Sequence, residues 1–162
     1  MYVPMKVILD DTNKNYYAIP AINVVSMELA RGVINAAIQE NAPLILNIGE
    51  GQMSKHGHAD VMVPMVSHLA AKAPVPIALN LDHGKHWESL TLAFRNGFSS
   101  IMIDASLYDL KENVTRTAEV VRMCHPQGVS VEGELGHVGV AMDRDDRSEE
   151  LFTKPEDVVY FV

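Results

Sequence analysis

Asp82 and His83 stand next to each other at the close of an apolar run, Ile77-Ala78-Leu79-Asn80-Leu81. An imidazole can ligate a divalent cation, and a neighbouring carboxylate can carry a proton to or from a reacting oxygen. Other apolar runs close in the same way. Strand one, within the extended run Tyr17 to Val24, ends at Asn23, Ser100-Ile101-Met102-Ile103 closes in Asp104, and Ser130-Val131-Glu132-Gly133 closes in Glu134, with His137 soon after. Residues able to ligate metal or hold substrate therefore recur at one kind of position. Together they would make a metal site with an adjacent acid/base.

Each residue also has a plainer reading. Asp82 could cap a following helix, His83 could be a surface histidine, and Asp104 before Ala105-Ser106 could form an Asx turn. Glu134 could be a solvated charge, and Asn23 could merely hold a loop. Their recurrence at strand ends is what favours a site. His56-Gly57-His58, in a polar stretch, is a weaker metal candidate, and His86 and His125 flank helices. Cys124 falls late on an apolar helical stripe and reads as packing. No Gly-x-Ser-x-Gly elbow is present.

The elements that must position these residues alternate along the chain. Ser26 is placed to cap a helix carrying Met27, Ala30, Val33, Ile34, Ala37 and Ile38 at helical spacing. Leu44 to Ile48 reads as a strand. Met62, Met65, Val66, Leu69 and Ala73 form a second stripe, with Pro64 in its first turn. After strand three, Trp87, Leu90 and Phe94 mark a helix capped by Gly97. Asp109 and Glu112 suggest a capping box before Val114, Thr117, Val121 and Cys124. Thr153-Lys154-Pro155-Glu156 suggests another, opening a helix over 157–162. The polar segment 136–152 reads as a mobile loop.

Repeated β-α units predict a parallel sheet with helical crossovers, either doubly wound or a (β/α)8 barrel. In both, active sites form beyond the carboxyl ends of the strands. The absence of G-x-G-x-x-G and Walker sequences lowers the nucleotide-binding reading.

The chain has 162 residues, 48% hydrophobic and 21% charged, so a single globular domain over 1–162 is expected. A net charge of −8 supplies no basic face for nucleic acid and no attraction to anionic lipid. No run approaches the roughly 18 apolar residues of a membrane helix. A lone cysteine forms no internal disulfide and fits a cytoplasmic setting.

Several longer segments resemble the class II fructose- and tagatose-bisphosphate aldolases. They are Pro76-Ile77-Ala78-Leu79-Asn80-Leu81-Asp82-His83-Gly84, Phe98 to Ser106, Asn113-Val114, Val129 to Gly136, and Tyr17 to Asn23. The resemblance runs through nearly the whole chain in order. It implies a TIM-type parallel (β/α)8 barrel of which about five strands are present, a Zn2+ cofactor with a second divalent or a monovalent cation, and a phosphorylated ketose substrate. It also implies a homo-oligomer, dimeric or tetrameric.

By resemblance, Asp82 matches the catalytic aspartate that exchanges a proton with the aldehyde-side oxygen. His83 matches one of three zinc histidines. Asp104 and Glu134 match carboxylates of a second metal position, and Asn23 an asparagine near the substrate. Where the family has Ser or Thr, Gly49 stands here. Gly139 to Asp143 replaces an acidic Gly-Gly-Glu-like sequence, leaving Asp143, Glu149 and Glu150 as candidates for the second proton transfer.

The remaining zinc histidines belong to later strands of the family's barrel, so the 162 residues alone are expected to be inactive. Two other readings are a non-catalytic accessory or self-associating partial barrel, and a metal-dependent hydrolase using the carboxylates at 104 and 134.

Overall fold

The computed structural model describes residues 1–136 and 152–162. Its elements run α1 (Met5–Asn15), β1 (Ala21–Asn23), α2 (Met27–Gln39), β2 (Leu44–Gly49), α3 (Glu50–Lys55), α4 (Ala59–Lys72) and β3 (Ile77–Gly84). There follow α5 (Trp87–Asn96), β4 (Ser100–Ile103), α6 (Leu110–Cys124), β5 (Ser130–Gly133) and α7 (Pro155–Phe161).

The strands form one sheet in the order β1-β2-β3-β4-β5, and every pairing is parallel. That order separates the two architectures left open by alternation. A doubly wound sheet reverses its order at a switch point and is covered by helices on both faces. Here each strand lies beside its successor, as in the wall of a β/α barrel. Leu44, Leu46, Ile48, Leu79, Leu81 and Ile101 pack with Ala30, Ile34, Val66, Leu90 and Val120 of the crossover helices in one core.

The opposite face follows the period-two alternation of each strand. Its lower end is apolar: Ile45 and Ala78 pack against Met5 and Ile8 of α1. The helix α1 is absent from the sequence reading. Its buried residues are only Met5, Ile8 and Thr12, one of them polar, and no side chain caps its start at Pro4. Such a sparse stripe carries little periodic signal. What selects the helix is the apolar floor it covers.

Other local features differ from expectation. Pro64 lies beyond the first turn of α4, at its sixth residue, and so removes an interior hydrogen bond. The short α3 occupies the turn after β2. Strand one is confined to Ala21–Asn23 within the longer extended run. At α7 the Thr153 hydroxyl donates to the Leu135 carbonyl rather than capping the helix, and Pro155 takes the first helical position. At α6 half of the expected box forms: Asp109 Oδ1 accepts from the Glu112 N–H (2.9 Å), while the Glu112 carboxylate pairs with Arg116. The caps at Ser26 and Gly97 are as read: the Ser26 hydroxyl accepts from the Leu29 N–H, and Gly97 takes a left-handed conformation at φ 92°. Cys124 is fully buried, and burial pushes its thiol up to about 11, consistent with packing. Of the segment 136–152, residues 137–151 lie outside the described residues, and with them His137, Asp143, Glu149 and Glu150.

Gly84, which closes β3, sits where no side chain fits. A Cβ there would lie 2.7 Å from the Met102 carbonyl oxygen, 2.7 Å from Leu90 Cδ2 and 2.9 Å from Leu81 Cδ2. The backbone oxygen cannot rotate away. Gly84→Ala is expected to destabilise the fold by about 1–3 kcal/mol, the usual range for overpacking. Urea unfolding of the two proteins checks this, and an unchanged midpoint would contradict the packing described.

Candidate active site at the carboxyl ends of the strands

Regular strand geometry would point Asp82 and His83 to opposite faces. The β3–β4 register shifts between Leu81 and Gly84, and His83 takes a left-handed backbone at φ 48°. A non-glycine residue in that region costs roughly 1–3 kcal/mol, and such strain gathers at functional sites. Its effect here is to turn both side chains toward one mouth.

All five residues singled out from the sequence converge there. His83 Nδ1 lies 3.0 Å from Asp104 Oδ2 and 3.4 Å from Glu134 Oε2, bringing together the ends of β3, β4 and β5. His83 Nε2 is 4.0 Å from Asp82 Oδ1. On the other side, Asn23 Nδ2 from β1 donates to Asp82 Oδ2 at 3.4 Å. The plainer readings fare unevenly. Asp82 caps nothing, because α5 begins after His86. Asp104 does form its Asx turn: Oδ1 accepts from the Ser106 N–H (3.2 Å) and hydroxyl (2.7 Å). The turn occupies one carboxylate oxygen and leaves Oδ2 facing His83.

The electrostatics follow from this crowding. Burial alone would lower the His83 pKa, but its hydrogen bond to Asp104 and the charges of Asp82, Glu134 and Asp104 raise it overall. Burial would raise Asp104, yet hydrogen bonds from Ser106 and His83 and the nearby Lys85 charge hold it below the usual carboxylate range. Lys85 Nζ is 3.6 Å from Asp104 Oδ2. Carboxylates thus outnumber nearby cationic groups at the mouth.

Several supporting residues escaped the sequence reading. Gln52 Oε1 accepts from Asn23 Nδ2 (3.3 Å) and from the Gly49 N–H (3.0 Å), tying α3 to the site. Glu50 accepts from the backbone N–H groups of Lys85 (3.3 Å) and His86 (3.0 Å) and meets the His86 ring at 3.0 Å. Burial pushes the Glu50 pKa up, but hydrogen bonds from Ser89, His86 and Lys85 outweigh it and hold the group low. Buried Asn113 donates its Nδ2 to the Glu134 carbonyl at 2.8 Å, fixing the end of β5 against α6. A polar residue on the inward stripe of α6 was the available signal. Beneath the mouth, Asn80 donates to Glu132 Oε2 (2.8 Å), whose pKa burial raises. His56 and His58 merely flank α3 and α4, and the metal-capable group found among the described residues lies elsewhere.

That group is His83, Asp104 and Glu134, whose ligand atoms all lie within 4.8 Å of one another. One imidazole nitrogen with two carboxylate oxygens, in a surplus of negative charge, is a donor set suited to zinc or a similar divalent ion. The residues present therefore fit a metal.

The family model described as fructose-bisphosphate aldolase class-II matches residues 3–162. The fructose-bisphosphate aldolase of Thermus caldophilus is 40% identical over 151 residues, covering 90% of this chain and 48% of the relative. That of Staphylococcus aureus (strain Mu50) is 40% identical over 139 residues, covering 85% and 49%. The crystal structure of the YdjI aldolase from Escherichia coli K12 superposes with a TM-score of 0.86 at 36% identity, covering 100% of this chain and 60% of that one. The Campylobacter jejuni fructose-bisphosphate aldolase gives a TM-score of 0.81 at 26% identity, covering 99% and 53%. The chain spans about half the length of the curated relatives it matches. With five parallel strands in barrel order and strand-end residues gathered at one mouth, it belongs to the class II fructose-bisphosphate aldolase family.

Proposed function

We propose that this chain forms part of a metal-dependent aldolase that cleaves a ketose (bis)phosphate, such as fructose or tagatose 1,6-bisphosphate, to dihydroxyacetone phosphate and an aldehyde. The observation that carries the reading is the meeting of His83, Asp104 and Glu134 beside Asp82. A single domain, a cytoplasmic setting and a homo-oligomer belong to the same proposal. No helix among the described residues is long and apolar enough to cross a membrane.

His83 would hold the catalytic Zn2+, and Asp104 and Glu134, whose ligand atoms lie within 4.8 Å of its own, would supply carboxylate ligands to the same ion or to a cation beside it. A divalent ion bound there supplies Lewis acidity for the negative charge that develops when the carbon–carbon bond beside the ketone breaks. Asp82 performs the proton transfer on the aldehyde side. In cleavage its carboxylate takes the proton from the hydroxyl that becomes the aldehyde carbonyl, and in condensation it returns it. Asn23 steadies the acceptor oxygen of Asp82 and faces the same mouth, where a substrate hydroxyl or phosphate oxygen can take its donor. His83 also keeps Asp104 directed inward through its hydrogen bond.

Full-length protein loaded with Zn2+ is expected to cleave one of the two bisphosphates, and no cleavage of either would overturn the reading. The isolated 162 residues test whether the donors they carry suffice. Among the described residues, one imidazole reaches the centre. The polypeptide 1–162 with added Zn2+ is expected to show no measurable cleavage of either bisphosphate in a coupled assay. Robust turnover would mean that His83, Asp104 and Glu134 suffice as donors, or that a second copy completes the site. The size of the active species in solution then separates those cases.

A further inference from the structure

Asp82 and Glu134 are each preceded, two residues back and on the same face, by a polar residue: Asn80 on β3 and Glu132 on β5. Alternation places this pair one layer beneath the mouth. Asn80 is 1% exposed. Its Nδ2 donates to Glu132 Oε2 at 2.8 Å and to Asn47 Oδ1 of β2 at 3.3 Å. The Asn80–Glu132 bond joins residues 52 apart in sequence and passes over β4, which lies between their strands.

Packing does not call for polar groups at this level. The helix-facing side of the same strands is Leu79, Leu81 and Ile101, and the layer below holds Ile45 and Ala78. A carboxylate drawn into such a position is unfavourable unless hydrogen-bonded. The layer is also incompletely satisfied: Asn80 Oδ1 and the Ser100 hydroxyl are buried with no protein partner among the described residues. What the layer does supply is a fixed distance between β3 and β5. The three candidate metal donors come from the ends of β3, β4 and β5, so their convergence depends on that distance.

We propose that Asn80 and Glu132 are positioning residues: their hydrogen bond braces β3 against β5 so that His83 and Glu134 meet at a common point. The inference rests on the metal-site reading above. It assigns a function to residues that touch neither metal nor substrate.

The test uses the full-length protein and Zn2+ alone, with affinity measured by competition against a chromophoric chelator. Glu132→Leu removes the acceptor and the half-buried charge together, while Asn80 Nδ2 keeps its second bond to Asn47 Oδ1. Zn2+ affinity is expected to fall about 10–100-fold, the usual effect of losing an outer support. Glu132→Gln keeps an acceptor oxygen and is expected to recover most of that loss. If Glu132→Leu does not fold, Asn80→Leu/Glu132→Leu, which leaves neither polar group of the pair facing an apolar partner, is read in the same way. A folded Leu variant with wild-type Zn2+ affinity overturns the brace alone. So does a Gln variant as weak as the Leu variant. Wild-type protein that binds no Zn2+ overturns the metal-site reading and the brace with it.

Discussion

Asp82→Ala in the full-length protein should lower kcat for aldol cleavage by about 10²–10⁴-fold, the usual contribution of a positioned acid or base. Zn2+ content should stay near wild type. The two halves of that expectation come from different contacts. Asp82 is not one of the metal-capable donors His83, Asp104 and Glu134, although its Oδ1 lies 4.0 Å from His83 Nε2. It meets Asn23 on its other oxygen at 3.4 Å. Removing it takes away the proton acceptor while the donor atoms of the cluster remain. KM should change much less than kcat, because the lost interaction matters most in the transition state. Asp82→Asn keeps the shape and the partner but cannot accept the proton, so it should be as slow as the Ala variant. Turnover of the Asn variant near wild type would remove Asp82 from the chemistry.

The site was more legible in the sequence than the frame around it. Asn23, Asp82, His83, Asp104 and Glu134 were found from one rule, that chemistry gathers where parallel strands end, and all five meet in space. Runs such as Leu44–Ile48 and Ile77–Leu81 are apolar without strict alternation, the signature of strands covered on both sides. What the rule cannot supply is reach. Gln52, Lys85 and Glu50 lie in turns or short helices, and only folding brings their side chains to Asn23, Asp104 and the His86 loop. Asn80 and Glu132 sit inside strands, where a polar residue reads as a break in an apolar run. Their meaning appears once the register places them under Asp82 and Glu134. The helix α1 is not legible in the sequence because two apolar residues and a threonine on one face give little periodicity. It is defined by Ile45 and Ala78, which it covers, and not by its own pattern.

The left-handed backbone at His83 allows a prediction that separates fold from function. If this residue served only to close a turn, asparagine would serve as well or better, because its short polar side chain tolerates that conformation. His83→Asn in the full-length protein is therefore expected to unfold in urea within about 1 kcal/mol of wild type in the metal-free state, the scale of the hydrogen bond lost to Asp104. Metal binding should respond quite differently. The imidazole is the one nitrogen among the three converging donors, and without it Asp104 and Glu134 face each other with Lys85 as the neighbouring cation at 3.6 Å. Zn2+ affinity should fall by more than the roughly 10–100-fold typical of losing an outer support. Aldol cleavage should fall with it at limiting Zn2+. Equal Zn2+ affinity in the two proteins would show that the strained histidine is a structural choice. A large loss of affinity with stability unchanged would show that the strain is maintained for the ligand it points into the mouth.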